Sequence, residues 1–304
     1  MRIAVTGEAL IDFTSTGPLA FQGHCGGSPF NTAIAASRLG QATGFLTQLS
    51  ADMFGDALLR YLHQNGVDTR FITFDAAPST IAFVERTHGT HRYGFLAEGS
   101  ADSRYAPKPL PALPAETVFL QFGSIALLAE PAASTIAGIV RRHVGQKLIV
   151  FDPNIRFSLI TDLAAYRAKF ARWLGMTDLL KLSDEDISQL EPGKPPATCA
   201  TEWLHTGVKA MVMTRGAAGA TLYRLGLPPM EIAALKVAVV DTIGAGDTFT
   251  AGLMVGLLER GVDVKTNLAE LSDDIWRASL DFAAVAAAIN CTRPGANPPR
   301  RAEL

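Results

Sequence analysis

Short, β-prone apolar runs alternate with longer amphipathic stretches along most of the chain. The runs "RIAVT" (2–6), "VFLQF" (118–122), "LIVF" (148–151), "LLKL" (179–182) and "AMVMT" (210–214) are mostly bounded by polar residues or glycine. Strands covered on both faces read this way. Helical patterns at 29–39, 53–65, 131–144, 162–175 and 247–260 lie between them as crossovers. The order predicts an α/β fold with a mostly parallel central sheet and helices on both sides. One segment breaks the rhythm: "IAFVERTHGTHRYGFL" (81–96) reads as a hairpin turning near Gly89, with no helix beside it. A small β appendage over the sheet edge accounts for it. The proline-rich pieces 107–114 and 192–196 read as surface connections.

Size and charge narrow the class. With 304 residues, 48% of them hydrophobic, the chain can bury one large core carrying an appendage. Its formal net charge is -2, from 27 basic and 29 acidic residues, and no run of five or six like charges occurs. Neither a nucleic-acid nor a membrane partner is implied. Cys25, Cys199 and Cys291 are far apart and form no C-x-x-C pair, so a reducing cytoplasm is the expected compartment. The start "MRIAVTGEALIDF" is interrupted by Glu8 and Asp12 and lacks the pattern of a secretory signal. His88 and His91 flank the hairpin turn, but without a third ligand nearby they read as surface residues.

In open α/β sheets ligands bind beyond the carboxyl ends of the strands. Those ends carry Gly7-Glu8, Gly123-Ser124, Asp152-Pro153-Asn154, Lys181 and Thr214-Arg215-Gly216, a set suited to a polar ligand. In "DTIGAGDTFTAGLMVGLLERG" the run after Asp247 is helical, with Phe249, Leu253 and Leu257 on one face and Gly261 as its stop. Gly252 and Gly256, four apart, admit a neighbouring backbone. Gly244, Ala245 and Gly246 then sit at a helix start, where free amides and the positive dipole end make an anion site. Asp247 has two readings. It caps the helix, worth about 0.3–2 kcal/mol, or it takes a proton from a hydroxyl attacking a phosphate held there.

A second helix start is "GGSPFNTAIAASRLG", with Ser28 as cap, Pro29 at the first helical position and Gly40 closing the helix. Asn31 leans back toward that start, where a ligand could lie. Asp12 could accept hydrogen bonds from a polyol. Ser183-Asp184-Glu185-Asp186 forms an S-x-x-D capping box, and "TRGAAG" fits a plain hairpin turn. No G-x-G-x-x-G follows the first strand and no G-x-x-x-x-G-K-[ST] occurs, which disfavours dinucleotide and P-loop enzymes. A non-catalytic sugar-binding regulator could keep the same fold, but it has no need of a carboxylate beside an anion cradle.

"GGSPFNTAIAASRLG" and "DTIGAGDTFTAG" resemble the two signatures of the PfkB (ribokinase-like) carbohydrate kinases. "GEALIDF", "FDPNIR", "KLSDEDI", "TRGAAG" and "CTRPGA" follow in the same order, so the resemblance spans essentially the whole chain. It is greatest to the fructokinase subfamily. The resemblance implies a single three-layer α/β/α domain over 1–304, with a β lid at about 13–23 and 81–99. It also implies ATP-dependent phosphorylation of a sugar, D-fructose to fructose 6-phosphate first, with 2-keto-3-deoxygluconate as the alternative acceptor.

By the same resemblance Asp247 is the base, and the amides of Gly244, Ala245 and Gly246 are the anion hole. Asp12, Gly26, Gly27 and Asn31 match the sugar positions, and Asn154 and Arg156 match the phosphate and closure positions. Thr214, Gly216, Gly219 and Asn290 match the nucleotide positions. Asp186 stands where the family approaches Mg2+, here through water if at all, because the family's N-x-x-E is S-x-x-D. A homodimer through the lid and a monovalent cation such as K+ near Asp241–Thr242 are further implications.

Overall fold

The structure, a computed structural model, describes residues 1–87 and 90–304, with side chains at 1–84 and 94–304. His88, the side chain of His91 and the Gly89 turn lie outside the described residues. The chain begins β1 (Ile3–Thr6), β2 (Leu10–Gly17), β3 (Ala20–Gly26), α1 (Ser28–Arg38), β4 (Thr43–Leu46), β5 (Gln48–Ser50), α2 (Met53–Gln64) and β6 (Thr73–Asp75). It continues β7 (Thr80–Thr87), β8 (Thr90–Leu96), β9 (Phe119–Gly123), α3 (Ala132–His143), β10 (Leu148–Asp152), α4 (Leu163–Leu174) and β11 (Leu179–Ser183). Then come α5 (Asp184–Leu190), α6 (Pro196–Leu204), β12 (Ala210–Thr214), β13 (Ala220–Tyr223), β14 (Met230–Ile232), α7 (Ala245–Glu259) and α8 (Asp273–Cys291).

The main sheet has the order β14-β13-β12-β11-β10-β9-β1-β4. It is parallel from β4 to β12, and β13 and β14 turn back antiparallel at one edge. Two cores flank it. One packs α1, α7 and α8 against Val5, Phe119 and Val150; the other packs α3, α4 and α6 against Leu120, Phe122 and Phe151. Alternate side chains of each strand enter opposite cores, which is why the strand sequences show no polar face. A second sheet, β3-β2-β7-β8, is the appendage. It takes in residues 10–12 and 24–26, which links it directly to β1 and α1.

Helix α7 is buried along almost its whole length, from Asp247 to Leu258, and α8 lies across it. Gly252 and Gly256 make that approach possible. A Cβ on Gly252 would stand 2.9 Å from the Ala283 Cα, and one on Gly256 3.0 Å from the Ser279 Cα. Gly252→Leu is therefore expected to destabilise the fold by about 3 kcal/mol, read as a melting temperature several degrees lower. An unchanged melting temperature would mean the two helices can separate without cost. No helix among the described residues is long and apolar enough to cross a membrane.

Candidate active site

Helices α1 and α7 both start on the floor of one cavity of about 190 Å³. Its lining includes Glu8, Asp12, Gly27, Asn31, Asn154, Arg156, Gly244, Gly246 and Asp247, with Val84 and Phe95 contributed by the lid. Residues from five separate sequence motifs thus converge on one space.

Asp247 occupies the first turn of α7 and is 6% exposed. The Ser28 hydroxyl donates to its Oδ1 at 2.7 Å, and the Asn31 amide donates to its Oδ2 at 2.9 Å. Burial pushes its carboxyl above the ordinary range, against the two hydrogen bonds that favour the charged form. The sequence pattern suggests Ser28 as the cap of α1, but the structure places Gly27 there. Gly27 has φ +106, Ser28 and Pro29 are the first helical residues, and the Ser28 hydroxyl turns to Asp247 instead. A Cβ at Gly27 would come 2.9 Å from the Glu8 carbonyl oxygen, so the chain has no room for a side chain at the bend.

Gly244 is the left-handed cap of α7, at φ +75, and a Cβ there would lie 2.6 Å from the Ala296 Cβ. The Ala245 amide donates to the Thr242 carbonyl at 3.2 Å. The amides of Gly246 and Asp247, inside the first turn, have no intrahelical acceptor and are the donors this end of the helix offers an anion. Asn290 ties the loop down. It is fully buried, donates to the Ile243 carbonyl at 2.9 Å and accepts from the Asn297 amide at 2.9 Å. Asp241 accepts from the amides of Ile243 and Gly295, closing the same loop.

Asp12 lines the same cavity from β2, beside the Gly26 backbone. A Cβ on Gly26 would meet the Asp12 Oδ2 at 2.1 Å, so glycine is what lets the carboxylate lie there. Arg156 donates to the Asn154 Oδ1 at 2.7 Å, and Asn154 takes a left-handed φ of +35 to present it. Glu8 bridges two segments, accepting from the Ser28 amide and the Ala126 amide, each at 3.2 Å.

Burial raises Glu8 to about 7, and burial raises Asp12 to about 7 despite the nearby Arg156 charge. Both groups hold a proton in the folded protein at pH values where the unfolded chain has lost it. Their stabilisation is complete below the ordinary carboxylate range and is lost as the pH rises through about 7. The melting temperature should accordingly fall from about pH 5 to about pH 7 and level off above it, and less steeply in Glu8→Gln. A wild-type curve that rises over this interval would contradict the assignment.

Other sequence candidates lie apart from the cavity. The Asp186 Oδ2 accepts from the Ser183 amide and hydroxyl, completing the capping box of α5, while its Oδ1 accepts from the Ile155 amide. With three donors already on its oxygens, Asp186 does not fit a direct metal ligand. Among the described residues no cluster of three or more acidic, histidine or cysteine side chains could hold a metal ion. Thr214, Gly216 and Gly219 form the turn between β12 and β13. A Cβ on Gly219 would strike the Ile232 carbonyl oxygen at 2.0 Å, whereas Gly216, at φ +50, faces open space.

Sequence reasoning left Lys181 and Asp152 as bare strand ends. The structure joins them beneath α7: the Lys181 Nζ donates to the Asp152 Oδ2 at 3.0 Å, and the Thr250 hydroxyl donates to the same oxygen at 2.7 Å. A lone lysine inside the apolar run "LLKL" was the available signal.

The chain is 37% identical over 286 residues to a fructokinase of Rhizobium leguminosarum bv. trifolii, covering 92% of this chain and 86% of that one. Its fold superposes on a fructokinase with bound ATP from Xylella fastidiosa with a TM-score of 0.86 at 26% identity, covering 97% and 93% of the two chains. An aminoimidazole riboside kinase from Salmonella enterica, complexed with its riboside and an ATP analog, superposes with a TM-score of 0.83 at 25% identity, covering 97% and 94%. The pfkB family carbohydrate kinase pattern matches residues 2–303. From end to end, then, the chain belongs to the pfkB family of carbohydrate kinases.

Proposed function

We propose that this protein is an ATP-dependent fructokinase that transfers the γ-phosphoryl group to the 6-hydroxyl of D-fructose. The observation that carries the reading is the placement of Asp247. It is a buried carboxylate between two helix N-termini, at the junction of an anion cradle and a polyol-sized cavity. Asp12, Asn31 and Asn154 supply acceptors and donors for sugar hydroxyls, and Arg156 faces them with a positive charge. Asp247 takes the proton from the attacking hydroxyl as the sugar oxygen bonds to the γ-phosphorus. The bond to ADP breaks in line, and its electron pair leaves with the β-phosphate. Charge gathering on the phosphoryl oxygens meets the Gly246 and Asp247 amides, already oriented before the reaction.

The turn at Thr214, Gly216 and Gly219 is the proposed approach for the nucleotide, with Asn290 acting through the loop it anchors. Mg2+ would arrive on the nucleotide's phosphates with much of its water, as that ion commonly does, and Asp186 would reach it only through water. A monovalent cation such as K+ belongs to the Asp241–Thr242 loop in this reading. Val84 and Phe95 face the cavity from the lid, so its closure would shield the phosphoryl group from water. The outer lid, with exposed Phe21 and Leu96, is the surface where a homodimer would pair.

The test is ATP turnover over D-fructose, glucose, ribose, 2-keto-3-deoxygluconate and aminoimidazole riboside. The kcat/KM for fructose should exceed the others by at least about tenfold, the ratio given by one well-placed hydrogen bond. Preference for another acceptor would replace fructose in the reading, and no turnover of any would remove the reading itself.

A further inference from the structure

Lys181 is a charged residue in the middle of a central parallel strand, 5% exposed, in a run otherwise buried as hydrocarbon. Stability is a poor reason for it. A buried ion pair costs so much desolvation that apolar residues of similar volume usually serve as well or better. The Asp152–Lys181 pair is also incompletely satisfied. An ammonium has three donors, and the Asp152 Oδ2 is the protein acceptor that Lys181 has among the described residues. The Asp152 Oδ1 is buried with no hydrogen-bond partner among the described residues.

The position of the ammonium gives the pair a use. Lys181 lines the cavity, and a Cβ on Gly246 would lie 3.1 Å from its Nζ, so the charge rests against the first turn of α7. That is the turn whose amides lack intrahelical acceptors. Asp152 holds the lysine there, and Thr250, one turn along α7 from Gly246, holds Asp152. Asp12 serves the sugar in that reading, and the remaining donors of Lys181 lie against the first turn of α7. Burial opposes the charge on Lys181, but the Asp152, Asp186 and Asp247 carboxylates together outweigh it and the group stays protonated.

We propose that Lys181 is a further catalytic residue of this site: its unshared N–H donors contact the transferring phosphoryl group from beneath the start of α7. Asp152 and Thr250 are positioning residues that aim it. Lys181 remains an ammonium throughout. The proton released by the sugar hydroxyl goes to Asp247, the new O–P bond forms, and the bond to ADP breaks with its electrons on ADP. The lysine contributes a fixed positive charge that grows in value as the phosphoryl oxygens share charge in the transition state. This inference rests on the kinase reading given above.

The experiment compares wild type, Lys181→Met and the neutral pair variant Asp152→Asn/Lys181→Met. Turnover with the preferred sugar, sugar affinity, and the affinities of ADP alone and of ADP with aluminium fluoride and sugar are measured for each. The expected result in both variants is a kcat about 100-fold lower, the scale for losing one such donor. Sugar and ADP affinities should stay within about twofold, while the aluminium fluoride complex, which imitates the transferring group, weakens about 100-fold. Should Lys181→Met leave Asp152 uncompensated and fail to fold, the pair variant carries the test. A pair variant that turns over and binds aluminium fluoride like wild type would make the lysine structural and overturn the proposal. Wild type inactive on every sugar would instead overturn the kinase reading and this inference with it.

Discussion

Asp247→Asn is expected to lower kcat by about 1,000-fold, within the range for losing a positioned general base, while both substrates still bind. The replacement has the same shape, and its carbonyl oxygen can still accept from the Ser28 hydroxyl that now donates to Oδ1 at 2.7 Å. What disappears is the capacity to take a proton from the attacking hydroxyl. Steady-state turnover measured beside calorimetric sugar and nucleotide affinities separates the two functions. Turnover near the wild-type rate would reduce Asp247 to a helix partner; lost binding of both ligands would mean that the Ser28–Asp247–Asn31 cluster holds the fold.

The second large effect is expected at Asp12. Asp12→Ala should weaken sugar binding by about 10- to 100-fold, the loss of a hydrogen bond to an ionisable acceptor, and leave nucleotide affinity nearly unchanged. Asp12 lies against Gly26 in the second sheet, on a different element from the α7 start proposed to receive phosphate. Its removal therefore takes a polyol contact without touching the anion cradle. Isothermal titration with each ligand separately decides the matter: a parallel loss of both affinities would assign Asp12 to folding.

The parallel core was legible in the sequence because each of its strands enters two apolar layers and shows no polar face. The long hairpin at 81–96 was legible for the opposite reason, its lack of a crossover helix. Strands β2 and β3 were harder to read. "LIDFTSTG" and "AFQGHCG" have one partly open face, and their polar residues resemble loop. At the site, the glycines and Asp247 announced themselves because backbone geometry restricts which residues can stand there. Ser28 did not, since a serine before proline looks like a cap wherever its hydroxyl points. Its bond to Asp247 spans 219 residues, and no local pattern encodes it. The Asp152–Lys181–Thr250 support was hidden likewise, its three members coming from β10, β11 and α7.

The partners of Asp247, Ser28 and Asn31, come from the start of the chain and Asp247 itself from its last fifth. During synthesis α1 leaves the ribosome long before α7 exists, and through that interval Ser28 and Asn31 have no carboxylate to hold. An emerging chain can fold its early strands around β1, but it has neither Asp247 nor the start of α7 until four-fifths of it is made. In the proposed mechanism, phosphoryl transfer is thereby withheld from any chain that stops short of α7. A truncated product from an interrupted message could still offer Asp12 to a sugar, and it could not consume ATP.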